Sequence, residues 1–125
     1  MSKFDEAQRE QTFERALSEM PDAAARVAEK WAYYCDALPF HVEVPLAERI
    51  RGFSMPISGF VRNRYPNIAQ TEPRVYFTVL LMGVYLAKTH PIPELIEAAR
   101  HIETETEIGG IEEILTNFIR RTPNR

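Results

Sequence analysis

One cysteine and three histidines are the natural starting points for chemistry in this 125-residue chain. A cysteine nucleophile needs a base beside it and a setting that lowers the thiol pKa. Cys35 instead falls on the apolar stripe of a predicted helix, where a thiol acts as a small hydrophobe. His90 stands beside Pro91 at a predicted helix end, where an imidazole can bond the last carbonyls. His41 lies in a short alternating segment with no partner that spacing can assign.

Glu97, His101 and Glu105 are spaced four residues apart, so one helix would present all three on one side. Carboxylates and an imidazole are common ligands of divalent cations. The di-iron carboxylate bundles, however, use Glu-x-x-His repeated on a second helix. Here the spacing is Glu-x-x-x-His and it occurs once. These three residues are therefore read as an acidic face that meets another protein, and no metal or cofactor is assigned. The GFSMPISG stretch lacks the lysine and spacing of a phosphate-binding loop. Ser58, in PISGF, lacks the flanking pattern of a nucleophile elbow. No catalytic residues are assigned.

Arg49, Arg51, Arg62 and Arg64 lie within sixteen residues, with Glu48 the adjacent acidic group. Arg51 and Arg62 are eleven apart, about three helical turns, and would share a face if one helix ran through. A short helix, a turn and a second short helix resemble the outline of a helix-turn-helix. Gly59 and Pro66 would interrupt the recognition half, and the acidic total opposes general phosphate affinity. A DNA-associated regulator using residues 40–65 is thus the alternative reading. The competing account pairs these arginines with the acidic groups of Glu94–Glu113, in the same chain or another.

Trp31, Tyr33, Tyr34 and Phe40 cluster within ten residues. Trp31 sits on a core stripe, whereas Tyr33 lies off it and is the better candidate for an exposed contact. Tyrosine and tryptophan are over-represented where protein interfaces concentrate their energy.

The elements that must position these residues are helical. From Val75 to Ala87 only Thr78 and Gly83 interrupt an apolar run. A helix apolar nearly all round must be covered on nearly all sides. Thirteen residues are too few for the roughly 20 that span a bilayer. Residues 72–89 are therefore expected to form the central helix of an all-α, single-domain, irregular bundle covering 1–125. Gly83 and Ala87, four apart, mark where a neighbouring helix approaches closely.

Around it the pattern predicts a helix over 2–19, a boundary at Pro21–Asp22, and a second helix over 22–38. The stripe of the second is Ala24, Val27, Ala28, Trp31, Cys35 and Leu38. Phe40, Val42 and Val44 alternate with polar residues in the one strand-like period. Leu46, Ile50, Phe53, Ile57, Phe60 and Val61 keep one helical phase across Pro56. With Gly52, Ser54 and Gly59 nearby, two short helices turning at Ser54–Pro56 are expected rather than one kinked helix. NIAQ is read as a loop. A helix from about 93 carries Leu95, Ile96, Ala99 and Ile102 and stops at Gly109–Gly110. The last, about 110–121, carries Ile111, Ile114, Leu115, Phe118 and Ile119, followed by a loose tail. The count is six or seven helices, mostly short.

Composition bounds the function. Charged residues at 26% and hydrophobic ones at 45% are ordinary globular values. The net charge of −3 is unevenly placed. Residues 1–30 carry five basic against seven acidic groups, 31–92 six against four, and 93–125 four against seven. A lone cysteine excludes an intrachain disulfide, and the polar MSKFDEAQREQ lacks the apolar core of a secretory signal. A cytoplasmic setting is expected, without a membrane. The leading expectation is a small non-enzymatic protein-binding module: a regulator, inhibitor, adaptor or secretion-type chaperone. Its candidate contacts are Tyr33, Glu97, His101 and Glu105. A homodimer is the second partner expectation, and an enzyme or metal protein with an unrecognised site is the third functional class.

Overall fold

The computed structural model describes residues 3–37, 44–70 and 73–122, and among these every element is an α-helix. In chain order they are α1 (Lys3–Ala37), α2 (Leu46–Arg64), α3 (Pro66–Gln70), α4 (Pro73–Ala87), α5 (Ile92–Thr106) and α6 (Ile111–Arg121).

The apolar helix is central. Thr78 through Tyr85 are buried without a break, more than two turns with no face left to solvent. α4 packs against each of the other five helices. Its tightest neighbour is α1: a Cβ built on Gly83 would sit 2.4 Å from Val27 Cγ1 and 3.2 Å from the Ala28 backbone nitrogen. The two helices run the same way, since Val27 meets Gly83 and Trp31, a turn further on, reaches Thr89. α2 runs back along α1, with Phe53 against Trp31 and the Tyr65 hydroxyl, just past its end, donating to Asp22.

Two prolines expected to divide helices do not. α1 passes through Pro21 as one helix of 35 residues. An interior proline removes one backbone hydrogen bond and costs about 3 kcal/mol. Ala16, Met20, Ala23, Ala24, Val27 and Trp31 nevertheless form one continuous buried stripe across it. Burying a single large apolar side chain contributes about 1.5–3 kcal/mol, so the stripe outweighs the proline. Pro21 and Leu17, whose carbonyl loses its partner, both lie on the solvent side, where water can take that bond. α2 likewise continues through Gly52, Pro56 and Gly59 instead of turning at Ser54. Ile50, Phe53, Ile57 and Val61 supply its buried stripe, and Pro56 faces outward. Phase decided both cases over propensity.

NIAQ is not a loop. Pro66 opens the single-turn α3, which Ile68 anchors in the core. Asn67 donates to Glu19 of α1 at 2.7 Å. α5 ends before the glycines, at Glu107 in the left-handed region (φ 59°), while Gly110 (φ 92°) begins α6. The Glu103 carboxylate accepts from the Ile111 and Glu112 amides at 2.9 and 3.4 Å, capping α6 from the preceding helix. Thr122 is not loose, because its carbonyl accepts the Tyr85 hydroxyl. The stripes expected to cover α4 do so: Leu95, Ala99, Ile102, Ile111 and Leu115 are buried, with Ile96, Ile114, Phe118 and Ile119 packed around them. Most of the strand-like stretch, with His41, lies outside the described residues, as do the side chains of Cys35 and Leu38.

Candidate functional site

The first turns of α2 and α5 start from Pro45 and Pro91 and face one another across a cleft of about 560 Å³. Ala47 and Ala98 are the small buried residues at its base. Arg49, His90, Glu94, Glu97 and His101 supply its polar walls.

Arg49 reaches the cleft from α2 with its guanidinium 5.2 Å from the Trp31 ring centroid. Its Nη1 stands 3.4 Å from His90 Nε2. On the other side of the imidazole, Nδ1 is 2.8 Å from Thr89 Oγ1, and Trp31 Nε1 donates to that same oxygen at 2.9 Å. An arginine has no acceptor, so neutral His90 must offer the lone pair of Nε2 and carry its proton on Nδ1. Thr89 then accepts from both Trp31 and His90. Burial, with the Arg49 charge second, pushes the His90 pKa below its ordinary 6.5, while Glu94 pulls it up.

Further along α5 lie the residues expected to form an acidic face. His101 Nε2 is 2.7 Å from Glu105 Oε1, one turn away. The other Glu105 oxygen accepts Arg51 from α2. Glu97 is exposed and lines the cleft with His101. Among the described residues, no three cysteine, histidine, aspartate or glutamate side chains converge as ligands for a metal ion. The geometry turns Glu105 toward an arginine and an imidazole.

The four arginines do not make one patch. Arg49 is half-buried against Trp31, and Arg51 is paired across the helices. Arg62 and Arg64 are exposed at the far end of α2. Arg62 lies near the Tyr76 phenol, whose pKa burial raises to about 12 against the pull of that charge. Tyr76 donates to the Ser54 carbonyl at 2.8 Å. Tyr33 is 76% exposed on α1 and does not line the cleft. Its neighbour Tyr34 stacks on Trp31.

Compared with known protein families, curated proteins and solved structures, the chain matches none.

One surface escaped the sequence reading. Because α2 is a single helix, Gly52, Met55, Pro56 and Gly59 line up on its outer side, directly opposite Ile50, Phe53, Ile57 and Val61. Met55 is 80% exposed. Among the described residues, a Cβ on Gly59 would meet nothing within 4 Å, and one on Gly52 only the Tyr34 hydroxyl at 3.9 Å. The signal was present in the spacing: the two glycines are seven apart and out of phase with the apolar stripe. Their intrinsic preference alone reads as helix-breaking.

Proposed function

We propose that this chain is a non-enzymatic protein-binding module whose contact surface is the outer side of α2. The observation that carries the reading is the pair of helix-interior glycines at Gly52 and Gly59, which no packing contact among the described residues requires. Each costs a helix about 1 kcal/mol relative to alanine. Neither has positive φ, and among the described residues only the Tyr34 hydroxyl, 3.9 Å from a Cβ on Gly52, comes near either position. A helical face of glycine, methionine and proline accepts a partner at close range, with the flexible Met55 adapting to its shape. The partner is another protein, and regulator, inhibitor, adaptor and secretion-type chaperone all fit such a surface. Among the described residues no helix is long and apolar enough to cross a membrane. With a single cysteine and an acidic balance, we place the protein in the cytoplasm.

The exposed Tyr33, Glu97 and His101 are secondary contacts in this reading. The nucleic-acid alternative is weaker because Arg49 and Arg51 are already engaged within the fold, leaving Arg62 and Arg64 at one end of α2. A second copy of this chain is the simplest partner to test. The decisive experiment is co-purification from the native cell with wild type and with Gly59→Leu, identifying both proteins and nucleic acids. A protein retained by wild type and lost from the folded variant supports the module. Identical partners on both, or nucleic acid alone, would sink it. Sedimentation at high micromolar concentration decides the homodimer separately.

A further inference from the structure

Among the described residues, the contacts around His90 form a circuit drawn from three parts of the fold. Trp31 of α1 donates to Thr89, Thr89 meets His90 Nδ1, His90 Nε2 meets Arg49 of α2, and the Arg49 guanidinium returns over Trp31. Thr89 and His90 belong to the corner between α4 and α5, which Lys88 enters in the left-handed region (φ 62°). The circuit therefore ties the start of α2 to that corner along one wall of the cleft.

We propose that this circuit is a pH-sensitive latch. Protonation of His90 breaks its contact with Arg49 and frees the start of α2 from the α4–α5 corner, widening the cleft.

The chemistry follows from the donor and acceptor inventory. Arg49 only donates, so the contact exists only while Nε2 keeps its lone pair. Once protonated, both ring nitrogens donate, and a cation faces a cation across 3.4 Å. Among the described residues, the groups acting on the imidazole electrostatically are Arg49 from α2 and Glu94 from α5. α1 presents the non-titrating Trp31 ring at 6.1 Å. Glu48, Glu97 and His101 line the same cleft. Glu94 gives the imidazolium a second position: repelled by Arg49, it turns to the carboxylate four residues on, in the first turn of α5. A contact between α2 and the α4–α5 corner is exchanged for a local one, which is what a switch requires.

The sign is fixed by the environment. Burial and Arg49 hold the folded pKa below 6.5, so the latch is closed at neutral pH. As pH falls, the unfolded chain takes up its proton first, near 6.5. The folded state loses stability from there down to the folded pKa, where the latch itself opens.

Trp31 is the single tryptophan, so its emission reports the circuit without a label. The test follows Trp31 fluorescence of the full chain from about pH 8 to pH 5, the range in which histidine titrates. Wild type should show a red shift with a midpoint below 6.5. His90→Gln keeps an acceptor toward Arg49 but cannot take a proton, so its emission should stay flat. Arg49→Met removes the opposing charge, so its midpoint should rise toward the ordinary histidine value. A transition unchanged in His90→Gln, or a midpoint unmoved in Arg49→Met, overturns the latch. A measurement on wild type alone guards against variants that fail to fold. By NMR, the His90 ring and the Trp31 indole N–H should titrate with one shared midpoint, and an indole signal that ignores the His90 titration overturns the proposal equally.

Discussion

α4 and α2 each carry glycine inside a helix, and the two helices use it in opposite ways. In α4, Gly83 is the place where α1 comes closest, and a methyl group there would collide with Val27 at 2.4 Å. In α2, no described residue comes within 4 Å of a Cβ on Gly59. The first glycine is consumed by the fold of this chain. The second meets no packing demand from the described residues, although it carries the same intrinsic helix penalty. A glycine that the native structure leaves unexplained points to something outside the structure, and this contrast is why α2 rather than the cleft carries the proposed function.

The sharpest way to break the contrast is to put a charge on each helix. Leu80 is fully buried in α4, surrounded by the other helices. Leu80→Asp places an uncompensated charge there, which costs roughly 3–5 kcal/mol. Set against a typical total stability of about 5–15 kcal/mol, this should abolish or severely lower the cooperative thermal transition followed by circular dichroism. Met55→Asp, on the outer side of α2, should change stability by no more than about 0.5 kcal/mol. If the two variants unfold alike, α4 is not the core and the Met55 face is not free.

Gly83→Ala is the next largest effect. Overpacking a filled site costs about 1–3 kcal/mol, partly offset by the better helix propensity of alanine. The neighbours that must yield are the Val27 side chain and the α1 backbone at Ala28, 3.2 Å from the added carbon. Backbone gives little, so the melting temperature should fall by several degrees. Shortening the obstacle in the double variant Val27→Ala, Gly83→Ala should cost less than the sum of the two single changes, because each would relieve the other. Strict additivity would mean the two residues do not touch.

The same contrast explains what could be read from the chain before its structure. α4 was legible because thirteen nearly unbroken apolar residues leave a helix only one place to be. The stripes of α5 and α6 were legible because their period is clean. At Pro21 and Pro56 local preference predicts a boundary, and the phase of the neighbours overrides it. Met20 and Ala24 flank Pro21 in register, as Phe53 and Ile57 flank Pro56, and a stripe that keeps register across a proline marks a helix that does too. The Arg51–Glu105 pair was foreseeable as charge meeting charge, though not the partner chosen. The bond from Trp31 to Thr89 spans 58 positions. No local pattern encodes it, since it depends on α1 and α4 lying side by side in the same direction.

The smallest effect is the most informative, because it should run the other way. Gly59→Ala adds a methyl group into open space and removes a flexible residue from a helix interior. In the isolated protein it should therefore stabilise by roughly 0.5–1 kcal/mol, read as a small rise in the denaturant midpoint without a change in slope. Gly52→Ala should do nearly the same, since its nearest obstacle is a hydroxyl at van der Waals distance. Evolution readily finds such gains, so a surface that forgoes two of them in one helix is under a different constraint. If that constraint is a partner's backbone seated against α2, the alanine variants will be more stable alone and weaker in complex, and Gly59→Leu weaker still. Stabilisation with undiminished binding would separate the glycines from the contact and move the search to Tyr33 and the α5 face.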